Sequence, residues 1–185
     1  MILDSLEANT GGLLMKYRWL VVTFSLGVFL PVAAHAQDIY GQFSASQMTS
    51  LAGTNDLYGA TTGVLLDGPT IIHHMVISAD IQGRFVGKSG EKLDGITAGP
   101  RFTFSEAHGI SPYGEFLVGF ARYNNPAEGN PTTDSTIQIN AGVAKRISSH
   151  WDLSLDYSYA QYYALGGEYN PKTYSFGTVF HFKKR

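Results

Sequence analysis

The chain has 185 residues with 21 Gly, 11 Tyr and 11 Phe, no cysteine, and a formal charge of −2 at pH 7. Without cysteine a disulfide scaffold is excluded, so stability must come from backbone hydrogen bonds and packing. The charge is near neutral and scattered, which excludes the basic stripe of a nucleic-acid binder and the acidic tail of a solvating segment.

Residues Met15–Ala36 carry the three parts of a secretory signal: a basic start (Lys16, Arg18), an apolar run from Trp19 to Leu30, and a small-residue exit at Ala34-His35-Ala36. Cleavage is expected after Ala36, with Ala34 and Ala36 as the recognised small residues. The apolar run is shorter than the roughly 20 residues of a spanning helix, and Pro31 interrupts it. Met1–Leu14 hold only acidic charges (Asp4, Glu7) and no pattern, which points to Met15 as the initiator. Residues 1–36 are therefore read as a signal segment, and 37–185 as one domain.

From Gln37 onward the recurring signal is period-two alternation, in about eight runs. Ile39–Gln47, Leu57–Leu66 and Pro112–Tyr123 are the weaker examples. Between Ile71 and Phe85, an apolar set (Ile71, Met75, Ile77, Ala79, Ile81, Phe85) alternates with Val76, Ser78, Asp80, Gln82 and Arg84. In Leu93–Phe104, Ile96, Ala98, Phe102 and Phe104 oppose Thr97, Arg101 and Thr103, and Pro100 predicts a bulge because it has no N–H for the ladder. Pro112–Tyr123 sets Phe116, Val118 and Phe120 against Tyr113 and Glu115. Ile137–Val143 continues the pattern. In Trp151–Tyr163, Trp151, Leu153, Leu155, Tyr157 and Tyr159 face one way and Asp152, Ser154, Asp156 and Ser158 the other. The final run sets Tyr174, Phe176, Phe180 and Phe182 against Thr173, Ser175, Gly177 and His181.

Alternation alone does not say which face is inside, since a soluble barrel or sandwich would bury the apolar set. Three features turn the oily face outward. Aromatic residues gather at two levels of an up-and-down meander: Tyr40, Phe102, Phe104, Tyr113, Trp151 and Phe182 at one, and Tyr58, Phe85, Tyr123, Tyr162, Tyr163 and Tyr174 at the other. Such girdles match the two interfaces of a bilayer. Connections alternate in length, with Asp67–Thr70 and Ser148–His150 tight and Ser105–Ser111 somewhat longer, against the long polar Met48–Asp56, Asn124–Asp134 and Ala164–Lys172. Finally, Asp80, Arg84, Arg101, Glu115, Asp152 and Asp156 share the polar face, where opposite charges can pair; facing lipid at the midplane, an Arg would cost roughly 2–4 kcal/mol. The expected fold is all-β: a transmembrane up-and-down antiparallel barrel of about eight strands, short turns periplasmic and longer loops extracellular.

The signal segment, the strand GPRFTF (Gly99–Phe104), the strand SPYGEFLVGFAR (Ser111–Arg122), the late INAGVAKRIS and the alternation ending in Phe182 together resemble the outer-membrane β-barrel domain family of the protein A-like type. The resemblance implies an outer-membrane location and contact with outer-membrane lipid, lipopolysaccharide and the insertion machinery. Members usually end on an aromatic residue, whereas Lys183, Lys184 and Arg185 follow Phe182 here. With only those three residues beyond the last run, no peptidoglycan-binding domain is expected, and anchoring to the wall would need another protein.

Chemistry is scarce. The mature segment offers His73, His74, His108, His150 and His181 with scattered Ser and carboxylates, and contains no P-loop, G-x-S-x-G elbow or zinc spacing. His73 and His74 are adjacent, so a strand points them to opposite faces and away from one metal. No catalytic, cofactor or metal residues are assigned. The six charged residues read either as a polar channel or as an ion-pair plug; an eight-stranded barrel is just narrow enough to be filled by side chains, which favours the plug. Two alternatives to a non-enzymatic structural or surface-interacting barrel stand. One is a lipid A-modifying enzyme, for which His150 with Ser148 or Ser149 is the local cluster, although a turn role fits it better. The other is an adhesion module acting through Asn124–Asp134 and Ala164–Lys172, which name no ligand.

Overall fold

The computed structural model describes residues 37–50, 53–72, 74–124, 131–162 and 170–183. They form eight strands in chain order: β1 (Asp38–Ser50), β2 (Gly53–Ile72), β3 (Met75–Lys88), β4 (Glu91–Phe104), β5 (Ile110–Asn124), β6 (Thr132–Arg146), β7 (Trp151–Tyr162) and β8 (Lys172–His181). Each strand pairs antiparallel with its sequence neighbour, and β8 pairs back onto β1, from Asp38↔His181 to Gln47↔Lys172, to close a barrel. The expected signal segment, with Met15, Ala34 and Ala36, lies outside the described residues, as do His73 and Tyr163.

The two faces are inverted relative to a water-soluble barrel. Outward positions carry Phe43, Phe116, Val118, Phe120, Ile139, Leu155 and Phe176, all exposed, with Phe120 at 68%. Inward positions carry Ser44, Thr61, Asp80, Arg84, Arg101, Glu115, Asn140, Asp156 and Thr173, all buried. Water would leave this oily belt unsatisfied, whereas a bilayer accepts it, and closure leaves no strand edge to meet hydrocarbon. The solvent of the outer wall is therefore lipid.

Local chemistry shapes the sheet at two kinds of site. Between β3 and β4 the chain reverses over Ser89 (φ 53°) and Gly90 (φ 93°), the paired left-handed geometry whose twist suits a two-residue hairpin. At Gly99, a Cβ would lie 2.1 Å from the Phe116 carbonyl oxygen, so β4 can approach β5 this closely only with glycine there.

Several connections differ from the sequence reading. Met48–Asp56 is not a long loop: β1 and β2 stay paired to Ser50↔Gly53, leaving only residues 51–52 between them. Asp67–Thr70 is not a turn. There β2 continues to Ile72 through register shifts between Asp67 and Thr70 and between Thr70 and Ile72, and Ile71 belongs to β2, not β3. Pro69 cannot donate to the ladder, which makes this the irregular stretch. Pro100 forms no bulge, because the pairs Ala98↔Val118 and Arg101↔Glu115 on either side of it keep one register. The short-and-long alternation is thus partial. At the end where β1 begins and β8 finishes, here called proximal, residues 73–74, 105–109 and 147–150 stand between consecutive strands. At the distal end residues 51–52, 89–90, 125–131 and 163–171 do so. The expected long loops 124–134 and 164–172 fall largely outside the described residues.

Candidate functional site

The candidate site is the barrel interior. Strand parity turns Asp80, Gln82 and Arg84 of β3 and Arg101 of β4 inward. From the facing wall come Tyr113 and Glu115 of β5, Gln138 and Asn140 of β6, and Asp152 and Asp156 of β7. All but Asp152 belong to one set of contacts, hydrogen bonds joined through the Arg101–Tyr113 stack. Tyr40 Oη donates to Asp80 (3.0 Å) and accepts from Gln82 Nε2 (3.1 Å); Gln138 Nε2 donates to Gln82 Oε1 and to Asn140 Oδ1 (both 2.8 Å); Asn140 donates to Glu115. Glu115 pairs with Arg101 at 3.2 Å, and the Arg101 guanidinium lies 3.6 Å from the centre of the Tyr113 ring. Tyr113 Oη and Gln42 Nε2 both donate to Asp156. Arg84 donates to Thr61 (3.3 Å), Thr173 (3.2 Å) and Ser158 (2.9 Å).

The proximal end holds a separate group. His181 Nδ1 lies 2.7 Å from Asp38 Oδ1, and His181 Nε2 lies 3.0 Å from Asp152 Oδ2, so one buried ring links β1, β8 and β7. The Nδ1 contact is a hydrogen bond; the Nε2 contact meets the distance of an ion pair without hydrogen-bond alignment. Sequence reasoning placed His181 on the polar face but missed this pairing, because Asp38 is 143 residues away.

At the distal end the interior turns apolar. Met48, Leu57, Val86, Leu93, Ala121 and Tyr123 form a buried cluster with Tyr162 packed against it. Beneath it, a cavity bordered by Arg84, Leu93, Thr136 and Tyr162 has about 10 Å³, the room of a single water at most. The lumen is thus not polar throughout, as the sequence pattern suggests: Leu57, Val86 and Leu93 share parity with Thr61, Arg84 and Arg101 and enter it as an apolar plug.

That same parity corrects the girdles. Tyr58, Phe85, Phe104, Trp151, Tyr174 and Phe182 are exposed on the outer wall, and Phe102 is half-buried. Tyr40, Tyr113 and Tyr123 were assigned to the girdles but are buried in the lumen, and Tyr162 packs on the inner apolar cluster. Each lies an odd number of residues from an outward neighbour such as Phe43, Phe116 or Tyr159, and a strand then turns it inward. On the proximal outer wall, Phe180 makes edge contacts with Trp151 (4.9 Å) and Phe182 (5.3 Å).

No family model matches the chain, and no curated protein does. Among solved structures it is similar to Neisserial surface protein A, with a TM-score of 0.63 and 16% identity, over 78% of this chain and 96% of that one. It is also similar to Ail, the attachment invasion locus protein of Yersinia pestis, with a TM-score of 0.52 and 15% identity, over 80% and 99%. The outer membrane enzyme PagL aligns with a TM-score of 0.48 and 13% identity, over 75% and 98%. The fold is that of the small eight-stranded outer-membrane barrels.

His150 and His74 lie in the proximal connections between strands. Ser149 Oγ lies 3.0 Å from His150 Nδ1, and the His150 amide donates to Ser148 Oγ, contacts between neighbours in the proximal turn 147–150. His74 Nδ1 lies 3.4 Å from Ser105 Oγ at the rim of a proximal recess of about 400 Å³, which Asp67, Ser78, Thr103 and the Glu106–Arg146 ion pair also line. Among the described residues no group of His, Asp and Glu is placed to hold a metal.

Proposed function

We propose that the protein is a sealed, non-enzymatic barrel of the bacterial outer membrane with a structural or surface-interacting role. The observation that carries this is the interior filled by the described residues: a polar network capped by the distal cluster of Met48, Leu57, Val86, Leu93 and Tyr123, with a cavity of about 10 Å³ beneath it. An eight-stranded barrel is just wide enough to be filled in this way, and a filled barrel conducts nothing. On this reading Met15–Ala36 is the export signal, the proximal end faces the periplasm, and residues 125–131 and 163–171 face the exterior. The outer wall contacts phospholipid and lipopolysaccharide after delivery by the insertion machinery. Nucleic acid has no place in it, and no surface ligand is named.

Purified protein reconstituted in planar bilayers tests the seal. The expected record is flat at the closed-membrane level, while a variant with Leu57 and Leu93 both changed to Gly shows steps. Steady conductance from the native protein would refute the sealed reading. Lipid A mass spectra from cells with and without the protein are expected to be identical; a change in acylation would replace this reading with the enzymatic one.

A further inference from the structure

We propose that the seam between β1 and β8 is a side-chain latch that fixes the register in which the barrel closes. Seven of the eight seams join strands that follow one another in the chain, so a connection limits how far each can slip. The β1–β8 seam has no such connection, and its residue pairs, from Gln47↔Lys172 to Asp38↔His181, are 125 to 143 positions apart. Its backbone ladder discriminates register weakly, because a slip of two residues restores the hydrogen-bond pattern everywhere but at the end rungs and keeps each side chain on its own face. The side chains carry the rest of the distinction between the native register and its neighbours.

The inward side chains of this seam do so at each rung. Ser46 bonds to Thr173 (2.7 Å), Ser44 to Ser175 (3.0 Å) and Asp38 to His181 (2.7 Å), and each of these pairs is directly opposed across the ladder. Between them Gln42 faces Gly177, where a Cβ would lie 2.5 Å from the Gln42 Cα, and Tyr40 faces Val179 in an apolar rung with Leu65. A slip of two residues in one direction puts Gln42 against Val179 and Tyr40 against His181; in the other it puts Asp38 against Val179. Either slip separates Asp38 from His181 in a buried setting. His181 also reaches Asp152 on β7, so the last rung ties the closing seam to the strand beyond it.

Outward cysteine pairs read the register without touching the latch. Ala45 and Tyr174 are opposed in the native register, whereas Ala45 and Phe176 become opposed after a two-residue slip. In otherwise native protein, A45C/Y174C is expected to cross-link and A45C/F176C is not. Adding Ser44→Ala, Ser46→Ala and His181→Phe is expected to raise the ratio of slipped to native product at least ten-fold, the scale of one lost charge-assisted bond. An unchanged ratio in variants that still migrate as folded barrels overturns the proposal. Should the triple variant fail to fold, Asp38→Asn alone is read by hydrogen exchange. Amides of β1 and β8 are expected to exchange about ten-fold faster while β3 and β4 keep their rates; a uniform change, or none, overturns the proposal.

Discussion

The Arg101–Glu115 pair offers the sharpest energetic test of the interior. Its atoms are 3.2 Å apart and its side chains are 6% and 3% exposed. At an effective dielectric of about 20 the attraction is roughly 5 kcal/mol, most of which offsets the cost of taking two charges out of water. Removing one partner leaves the other charge buried without compensation. Arg101→Met and Glu115→Gln should therefore each destabilise the barrel by about 3–5 kcal/mol. Arg101→Met also loses the stack on Tyr113, whereas Glu115→Gln keeps an acceptor for Asn140. The double variant has no stranded charge, and its loss should be less than the sum of the singles by at least 2 kcal/mol. Urea unfolding in lipid vesicles, followed by tryptophan fluorescence, measures all four corners. Additive losses, or singles costing under about 1 kcal/mol, would refute a buried, mutually compensating pair.

Three further outcomes follow from the same geometry. Phe116→Arg or Val118→Arg, outward and mid-strand in β5, should cost about 2–4 kcal/mol, while Phe104→Arg near the proximal rim should cost about 0–1 kcal/mol; equal costs at the two depths in vesicle unfolding would contradict a lipid-facing wall. Leu93→Ala should cost about 2–5 kcal/mol by opening a cavity in the distal plug, and a loss below 1 kcal/mol would mean that the cluster packs loosely. Protein recovered from outer membranes should begin at Gln37 by N-terminal sequencing; an intact Met15 end would exclude cleavage after Ala36.

The interior charges were legible because alternation assigns a face to every residue of a strand, and Asp80, Arg84, Arg101, Glu115, Asp152 and Asp156 stand in phase with Ser and Thr neighbours. The aromatics were less legible because grouping them by level ignores parity. Tyr40, Tyr113, Tyr123 and Tyr162 sit at the right heights and on the inner side. Connection lengths were misread where paired strand residues have loop chemistry, as in Thr49-Ser50 and Gly53-Thr54, which continue the β1–β2 ladder. The distal plug was hidden because Leu57 and Leu93 each open a run near a strand's distal end, where too few alternating neighbours precede them to assign a face. The latch between β1 and β8 could not be seen at all, since nothing local in the sequence states which residue of β8 meets Asp38.

The central claim is that the apolar face of this barrel looks outward into a membrane. Cell fractionation followed by electrophoresis of boiled and unboiled samples tests it most directly. Recovery in the outer-membrane fraction and a shift in migration on boiling, as the closed barrel unfolds, are expected. Recovery in the soluble periplasm, with the same migration in both samples, would contradict it.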